Sequence, residues 1–276
     1  ASAVQTALDI HTGNLDDHPS KADVLIFMPS PREITAVVDS LTLANHPYRE
    51  ADSKIPPFLV LVITREVINS AGIDYLKIKM PYKRLIMPAN DGKTILRPFR
   101  RIIISTVVAE TGLTIETLKY VIDSGWSRSM DTYYPGGYTG LTTRPAPQSR
   151  ILQRKGRSGR KFTGHFYPLY TQSVFDALPR EQAPDIVTQG VDSSIMGIAV
   201  ETAEEVAGAA PDGGPAPVFR AGDIDMLDPP PADALAAAVE MANAFGYFAP
   251  APEHGGDRIT RLGAMAAKFG RMTMGQ

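Results

Sequence analysis

The stretch "ADVLIFMPSPREITAVVDSLTLA", residues 22–44, decides the fold class of the chain. It contains five consecutive apolar residues, which are typical of a buried strand, and the turn formers Pro29 and Ser30 follow at once. Apolar residues then recur at helical spacing, with Ser30 as the expected N-cap and Pro31 in the first turn. The stretch therefore predicts a strand that leads directly into a helix, which is half of a βαβ unit.

Three more stretches have the same continuous apolar character: "PFLVLVIT" at 57–64, "RRIIISTVVAE" at 100–110 and "LKYVIDSG" at 118–125. A shorter stretch, "HFYPLYT" at 165–171, contains a proline and predicts an edge strand. Continuous apolar strands that alternate with helices are typical of a parallel sheet covered on both faces, so we predict an α/β fold. Ligands of such sheets bind at the carboxyl ends of the strands.

The chain of 276 residues is long enough for two units. We predict a flexible N-terminal segment at 1–22, an α/β domain at 23–182, a linker rich in Ala, Gly and Pro at 183–222, and a small, mostly helical module at 223–276. In the last module, apolar residues at helical spacing follow a run of prolines and predict a helix that ends at Gly246.

The composition excludes several kinds of site. The chain has no cysteine, so it can form no disulfide, and its five histidines lack the spacing of a metal site, so we expect no metal ligands on it. No apolar run is long enough to span a bilayer and the first residues do not resemble a signal peptide, so we expect an intracellular protein, cytoplasmic or nuclear. Because the net charge is only −2, any surface for a polyanion must be local.

The segment "ILQRKGRSGRKFTG", residues 151–164, is a candidate for such a local surface. We predict a helix that carries Gln153 through Arg160, on which Arg154 and Arg157 lie on one face, as do Arg157 and Arg160. The two glycines beside them would clear the space next to their side chains. Guanidinium groups suit phosphate oxygens, whereas a glycine inside a helix costs roughly 1 kcal/mol relative to alanine. We therefore favour a phosphate clamp over the alternative, a solvated basic helix end.

The stretch "STVVAETGLTIE", residues 105–116, is polar and directly follows a predicted buried strand. Its hydroxyl groups and free backbone amides could bind phosphate at the carboxyl edge of the sheet. The same residues could equally cap the next helix. The sequence by itself leaves both interpretations open.

The stretch "SMDTYYPGGYTGLTTR", residues 129–144, predicts a β-hairpin, because two β-prone runs flank a Pro-Gly-Gly turn. Its tyrosines could stack on nucleic-acid bases, or they could pair across the strands and stabilise the hairpin. The single tryptophan of the chain, Trp126, lies just before this stretch. We expect its side chain in the core rather than at a ligand surface.

Taken in order, these stretches resemble motifs of the superfamily-two DExH/DEAH RNA helicases. "VLIFMPSPREI" at 24–34 is similar to motif four, "IISTVVAETGLTI" at 103–115 to motif five and "QRKGRSGR" at 153–160 to motif six. "DIDMLDPPP" at 223–231 and "ITRLGAMAAKF" at 259–269 resemble the start of the family's winged-helix domain. The resemblance covers nearly the whole chain. It implies a second RecA-like domain, with a parallel sheet flanked by helices, followed by a winged-helix module, and viral RNA helicases share motifs five and six.

The resemblance also implies roles for individual residues. The side chains implied to reach the γ-phosphate of ATP, two of them as arginine fingers, are Gln153, Arg157 and Arg160. Further nucleotide contacts are implied at Glu116, which would face the ribose, and at Gly112. Contacts with RNA are implied at Ser105, Thr106, Thr111, Tyr134 and Arg144. The Pro-Gly-Gly hairpin matches the position of the family's strand-separating hairpin.

The sequence departs from the family at Val107 and Gly112, where motif five has Asn and Ser, and at Ile86, where a phenylalanine often stacks on the base. It also contains no GxxxxGK[ST] loop and no DExH tetrad, the elements that supply the lysine and the Mg²⁺-binding acid of phosphoryl transfer. We therefore expect a fragment of a longer polypeptide that is inactive alone and binds ATP and Mg²⁺ jointly with a first RecA-like domain. Two alternatives are a non-catalytic RNA-binding adaptor with a helicase fold and a fragment of a DNA helicase.

Overall fold

The structure, a computed structural model, describes residues 2–18, 22–111, 114–133, 138–161, 163–188, 191, 194–201, 218–220 and 227–268. The chain divides into two compact units. The first unit comprises residues 1–129 and 143–182, and the second comprises residues 130–142 and 183–276. Among the described residues, no helix has both the length and the apolar character needed to cross a membrane.

The first unit is built on a parallel sheet of five strands. These are β1 (Asp23–Phe27), β2 (Leu59–Ile63), β5 (Arg101–Ser105), β6 (Leu118–Asp123) and β9 (His165–Pro168), in the order β2-β5-β1-β6-β9. Each neighbouring pair is parallel. Because β9 lies at one end of this order, the prediction of an edge strand there is confirmed, as is the α/β fold with a parallel sheet.

Apolar side chains of the sheet enter two cores, one on each face. Val24 and Ile26 of β1 enter the first core, where helices α1 (Ser2–Gly13) and α2 (Pro31–Asn45) pack. Leu25 and Phe27 enter the second core, which receives residues of α4 (Ile73–Lys79) and α5 (Val108–Thr111). Three further helices of the unit are α3 (Arg65–Asn69), α6 (Gln148–Lys155) and α7 (Gln172–Asp176). Both faces of the sheet are therefore buried, which explains its uninterrupted apolar strands.

The N-terminal helix α1 corrects one prediction. Residues 1–22 were expected to be flexible, but Ala3, Ala7 and Ile10 of α1 are buried in the first core. These residues recur at spacings of three and four, so they form one apolar face of a helix. The small size of alanine makes this face easy to overlook in a sequence that is otherwise polar.

On each outer strand of the sheet, one backbone N–H is unavailable for further pairing. On β2, the backbone N–H of Val62 donates to the carboxylate of Asp74 on α4, at 2.9 Å. On β9, the last residue is Pro168, which has no N–H to donate. Two small antiparallel ribbons lie outside the sheet, β3 (Met87–Pro88) with β4 (Ile95–Leu96) and β7 (Trp126–Tyr133) with β8 (Tyr138–Pro145). The second ribbon is the predicted hairpin, although its turn lies outside the described residues.

A buried ion pair fixes the amino ends of the central strands. The guanidinium of Arg101 on β5 contacts the carboxylate of Asp23 on β1 at 2.9 Å, and both side chains are almost fully buried. The hydroxyl groups of Tyr82 and Thr117 also donate to Asp23. Arg101 donates further to the backbone carbonyl groups of Lys77, Ile78 and Met80. Both carboxylate oxygens of Asp23 and all three guanidinium nitrogens of Arg101 have hydrogen-bond partners, so the buried charges are tolerated.

The second unit contains helices α8 (Asp185–Thr188), α9 (194–201), α10 (Ala232–Ala244) and α11 (Arg261–Ala267). Its strands β10 (Phe248–Ala251) and β11 (Gly256–Ile259) form an antiparallel pair. The helix predicted after the prolines is present as α10, and it ends two residues before Gly246. The buried face of α10 is formed by Ala234, Ala238 and Ala242, whereas the large apolar side chain of Phe245 is 46% exposed.

Part of the predicted linker, residues 183–222, belongs to the core of the second unit. Ile195 and Met196 of α9 are buried against α10 together with Phe219. The Ala, Gly and Pro content suggested a linker, but a few large apolar side chains are enough to anchor a helix on the alanine face of α10. Most of residues 202–226 lie outside the described residues, and the domain boundaries themselves stay predictions.

The side chain of His11 on α1 has a strongly shifted pKa. It is fully buried, its Nε2 lies 2.9 Å from the carbonyl oxygen of Pro56, and the rings of Tyr48 and Phe58 contact it. Burial, aided by the charge of Arg100, lowers the pKa of His11 from 6.5 to about 4. The folded protein therefore holds this histidine neutral at pH values where an unfolded chain would protonate it.

We predict that the stability of the first unit falls as the pH decreases from about 6.5 to about 4. In that window the unfolded chain binds a proton at His11 that the folded chain does not, which is worth about 3 kcal/mol over the full range. Urea unfolding at a series of pH values measures this slope. His11→Gln should flatten it, whereas the matched variant at the exposed His46 should leave it in place. An unchanged slope in His11→Gln would contradict the assignment.

Candidate nucleotide and nucleic-acid site

The carboxyl edge of the sheet presents the end of β5, where Ser105 and Thr106 lie. Ser105 is fully buried and its hydroxyl donates to the carbonyl oxygen of Ile63 on β2, at 2.8 Å. This hydroxyl therefore joins two strands, and we withdraw Ser105 from the predicted RNA contacts. Thr106 follows the strand, is only half-buried, and leads into α5. It can present its hydroxyl at the edge.

Helix α6 ends earlier than the sequence predicted. We expected a helix through Arg160, but its last residue is Lys155, and Gly156 forms the C-cap. Gly159 has a φ of +77°, in the left-handed region that favours glycine. The glycines therefore stop the helix and turn the chain, and they place Arg157 and Arg160 in the loop that follows α6.

Arg154, one turn before the end of α6, lies in a buried network. Its Nε contacts Glu110 of α5 and its Nη1 contacts Asp123 of β6, both at 2.7 Å. Nη1 also donates to the carbonyl oxygen of Trp126 at 3.1 Å. Burial disfavours a charge on Arg154, but the carboxylates of Asp123 and Glu110 outweigh it and raise the pKa of the guanidinium. Arg154 was expected to share a ligand face with Arg157, and it is an internal anchor instead.

Two further contacts complete this network. Tyr170 donates to the second oxygen of Asp123 at 3.0 Å, and burial together with that carboxylate raises the pKa of Tyr170. Arg150 approaches the second oxygen of Glu110 at 3.3 Å. Gly125, with a φ of +77°, lets the chain turn beneath the Tyr170 ring, because a Cβ atom at this position would lie 2.5 Å from that ring. The network ties α6 to the ends of two strands.

Arg157 and Arg160 are the guanidinium groups that remain available. Arg157 is half-buried and Arg160 is exposed, and neither forms an ion pair within the described part of the chain. Arg160 donates to the hydroxyl of Thr114 at 3.3 Å. Burial and the nearby charge of Arg160 lower the pKa of Arg157, so two like charges converge here. An anion between them would reduce the repulsion between the two guanidinium groups and would give both of them a charged partner.

Gln153 and Glu116 lie beside these arginines. Gln153 is exposed on the last turn of α6, four residues before Arg157. Glu116 is exposed and pairs with Lys161 at 2.8 Å. Thr114 and Glu116 also line a cavity of about 780 Å³, whose walls include Tyr82. The structure thus brings together three predicted nucleotide contacts, Gln153, Arg157 and Arg160. Glu116 is linked to them through Thr114, two residues earlier, which accepts the hydrogen bond from Arg160.

The remaining predicted contacts are Gly112, Thr111, Tyr134 and Arg144. Gly112 and Tyr134 lie outside the described residues, and so does the side chain of Thr111, the last residue of α5. Arg144 is exposed on β8. Trp126 was expected in the core, but its side chain is 46% exposed at the start of β7, so that expectation is wrong. Residues 126–131 alternate exposed and less exposed side chains, and this alternation in the sequence "WSRSMD" was the available signal.

Residues 14–162, more than half of the chain, match the family described as "Helicase conserved C-terminal domain". The chain belongs to this helicase C-terminal family. The matched range of this helicase domain holds the whole of α6 with Arg154, Arg157 and Arg160, and both carboxylates that anchor Arg154.

Known relatives of this helicase domain are similar over most of its length. It is 48% identical over 268 residues, 97% of the chain, to "Putative RNA Helicase B962L" of African swine fever virus. It is 26% identical over 87% of the chain to the pre-mRNA-splicing factor ATP-dependent RNA helicase prp22 of Schizosaccharomyces pombe. The chain spans 27% of the first relative and 17% of the second, so it corresponds to a small part of each.

Solved structures show the same fold. The crystal structure of the E. coli DExH-box NTPase HrpB superposes with a TM-score of 0.64 at 21% identity, over 95% of this chain and 27% of that one. A second crystal structure, of the Escherichia coli DEAH/RHA helicase HrpB, gives a TM-score of 0.62 at 22% identity. The RecA-like fold predicted from the resemblance is therefore confirmed.

We predict that Arg154→Met destabilises the first unit by about 3–5 kcal/mol, because two buried carboxylates lose their shared partner. Urea unfolding followed by the fluorescence of Trp126, the single tryptophan, measures the change in the free energy of unfolding. Arg150→Met is the matched control. Its side chain is 23% exposed and its contact with Glu110 is longer, so the loss should stay near 1 kcal/mol. Equal losses in the two variants would contradict the anchor role of Arg154.

Proposed function

We propose that this chain is the C-terminal half of an ATP-dependent RNA helicase, to which it supplies arginine fingers and contacts with the RNA backbone. The observation that carries the proposal is the difference in surroundings among the arginines of motif six. Arg154 is buried and paired, while Arg157 and Arg160 lie just beyond the helix it anchors, with no carboxylate partner among the described residues. The names of the viral and yeast relatives support RNA as the substrate.

On the nucleotide side, Gln153, Arg157 and Arg160 would close on the γ-phosphate of an ATP held by a first RecA-like domain. Cations placed on the transferring phosphoryl group stabilise the charge that it carries in the transition state. Glu116 would face the ribose, and the cavity beside it offers room for the base. Because Ile86 is 58% exposed and is not aromatic, stacking on the base would have to come from another side chain.

The Mg²⁺ that accompanies ATP does not fit this clamp. Mg²⁺ prefers carboxylate, phosphate and water oxygens, whereas the clamp offers guanidinium donors and an amide. Within the described part of the chain, no group of three His, Asp or Glu side chains is arranged to hold a metal ion. We therefore assign the metal-binding acid, together with the P-loop, to the first RecA-like domain, which is the proposed partner of this chain.

On the RNA side, Thr106 would contact the phosphate backbone at the carboxyl edge of the sheet. Glu110 lies one helical turn further along and is bound by Arg154. The loop that would grip RNA and the helix that would sense ATP therefore share a buried ion pair. Binding of ATP would close the arginines on its γ-phosphate, and hydrolysis would release them. Each change would move the domain and, with it, the residues that contact RNA.

We predict that Arg157→Ala lowers RNA-stimulated ATP hydrolysis by about 10³-fold in the protein that carries this chain together with its first RecA-like domain. The loss follows from removal of a cation from the transition state, and arginine fingers are worth at least this factor. A steady-state assay of phosphate release, with and without single-stranded RNA, measures it.

Lys155→Ala is the matched control, because Lys155 is an exposed cation at the end of the same helix and is not among the proposed ligand contacts. It should leave the hydrolysis rate within about twofold. If Arg157→Ala also retains the wild-type rate, the clamp has no catalytic role and an RNA-binding adaptor becomes the better proposal. Equal stimulation by single-stranded DNA of the same sequence would argue against an RNA-specific enzyme.

A further inference from the structure

The exposed side chain of Trp126 has no part in the site described above. Tryptophan is largely buried in most folded proteins, yet this one is 46% exposed. No hydrogen bond of the indole and no ring contact is present among the described residues. Its backbone, by contrast, is tightly held, because its carbonyl oxygen accepts from buried Arg154 and its N–H donates to Ser124. The ring is therefore presented to solvent from a fixed position.

An exposed arginine lies beside this ring. Arg128 lies two residues further along β7, on the same face of the strand, and is exposed. It lies near α2, where its charge, after the hydrogen bond from Ser30 and the charge of Arg32, helps to lower the pKa of Glu33. Ala146 at the end of β8 donates to Gly125 at 2.8 Å, so residues 143–145 run alongside 126–128 and are exposed as well.

The topology places this face beside the proposed RNA grip. Two residues separate Trp126 from the end of β6, and Thr106 follows β5 directly. Both strands end at the carboxyl edge, and only β1 separates them. Neighbouring strands are about 4.8 Å apart, so the ends of β5 and β6 are roughly 10 Å apart. A strand of nucleic acid bound at Thr106 needs to extend only a short way to reach the indole.

We propose that Trp126 and Arg128 form a base-stacking contact for single-stranded RNA. A base would lie on the exposed indole while Arg128 neutralises an adjacent phosphate. This pairing of an aromatic platform with a cation is the general chemistry of binding to single strands. The contact extends the RNA path of the proposed function, on which this inference rests, from the backbone to a base. The contact is also joined to helix α6, since Arg154 donates to the carbonyl oxygen of Trp126.

The test uses the whole chain and an oligouridine of 15 nucleotides. Because Trp126 is the single tryptophan, its fluorescence reports directly on this position. Bound RNA should quench it in a saturable way, and Trp126→Ala should weaken binding, measured by anisotropy of labelled RNA, by about tenfold. Trp126→Tyr should recover most of the affinity. Arg128→Ala should weaken binding and lower the slope of log K against log salt by about 0.7.

Leu43→Ala, which removes an exposed apolar side chain on α2, is the matched control and should bind RNA like the wild type. A duplex of the same length should bind less tightly and be insensitive to Trp126→Ala, because its bases are already stacked. Binding of RNA without quenching and without loss in Trp126→Ala overturns the platform but leaves the backbone grip. Absence of RNA binding also overturns it, whereas the arginine clamp is judged separately by ATP hydrolysis in Arg157→Ala.

Discussion

The guanidinium of Arg154 lies between two carboxylates in a region closed to water, and much of the first unit depends on this arrangement. A buried charge tolerates no loose geometry, because each unpaired partner would cost several kcal/mol. The pairing with Glu110 and Asp123 therefore fixes where α6 lies on the sheet. It also fixes where α6 ends, and hence where the free guanidinium groups begin. The second buried pair, Arg101 with Asp23, does the same for the opposite ends of the strands.

The sheet could be predicted from the sequence because each central strand is buried on both faces and so contains an unbroken apolar run. The strand β9 was recognised as an edge by its proline. The N-terminal helix α1 was missed for the converse reason. Its buried face contains alanines such as Ala3 and Ala7, whose contribution comes from close packing rather than from a visible apolar pattern.

The roles of the motif-six arginines could be predicted only in part. Arg154 and Arg157 have the same side chain at helical spacing, and what separates them is the end of the helix at Lys155 and two distant carboxylates. Similarly, Ser105 and Thr106 are adjacent hydroxyl residues, but strand pleating buries the first and leaves the second at the edge. Such distinctions depend on tertiary contacts that no local pattern encodes.

The outer strands of the sheet each lack one free backbone N–H, and this has a consequence for strand addition. An open sheet with free edges is a template for strand addition, the first step of amyloid-like aggregation. Here the Asp74 carboxylate occupies the Val62 N–H on one side, and Pro168 ends the other strand without a donor. Neither edge offers a regular ladder to an incoming strand. Addition of a strand at either edge would therefore leave at least one backbone hydrogen bond of the new ladder unmade.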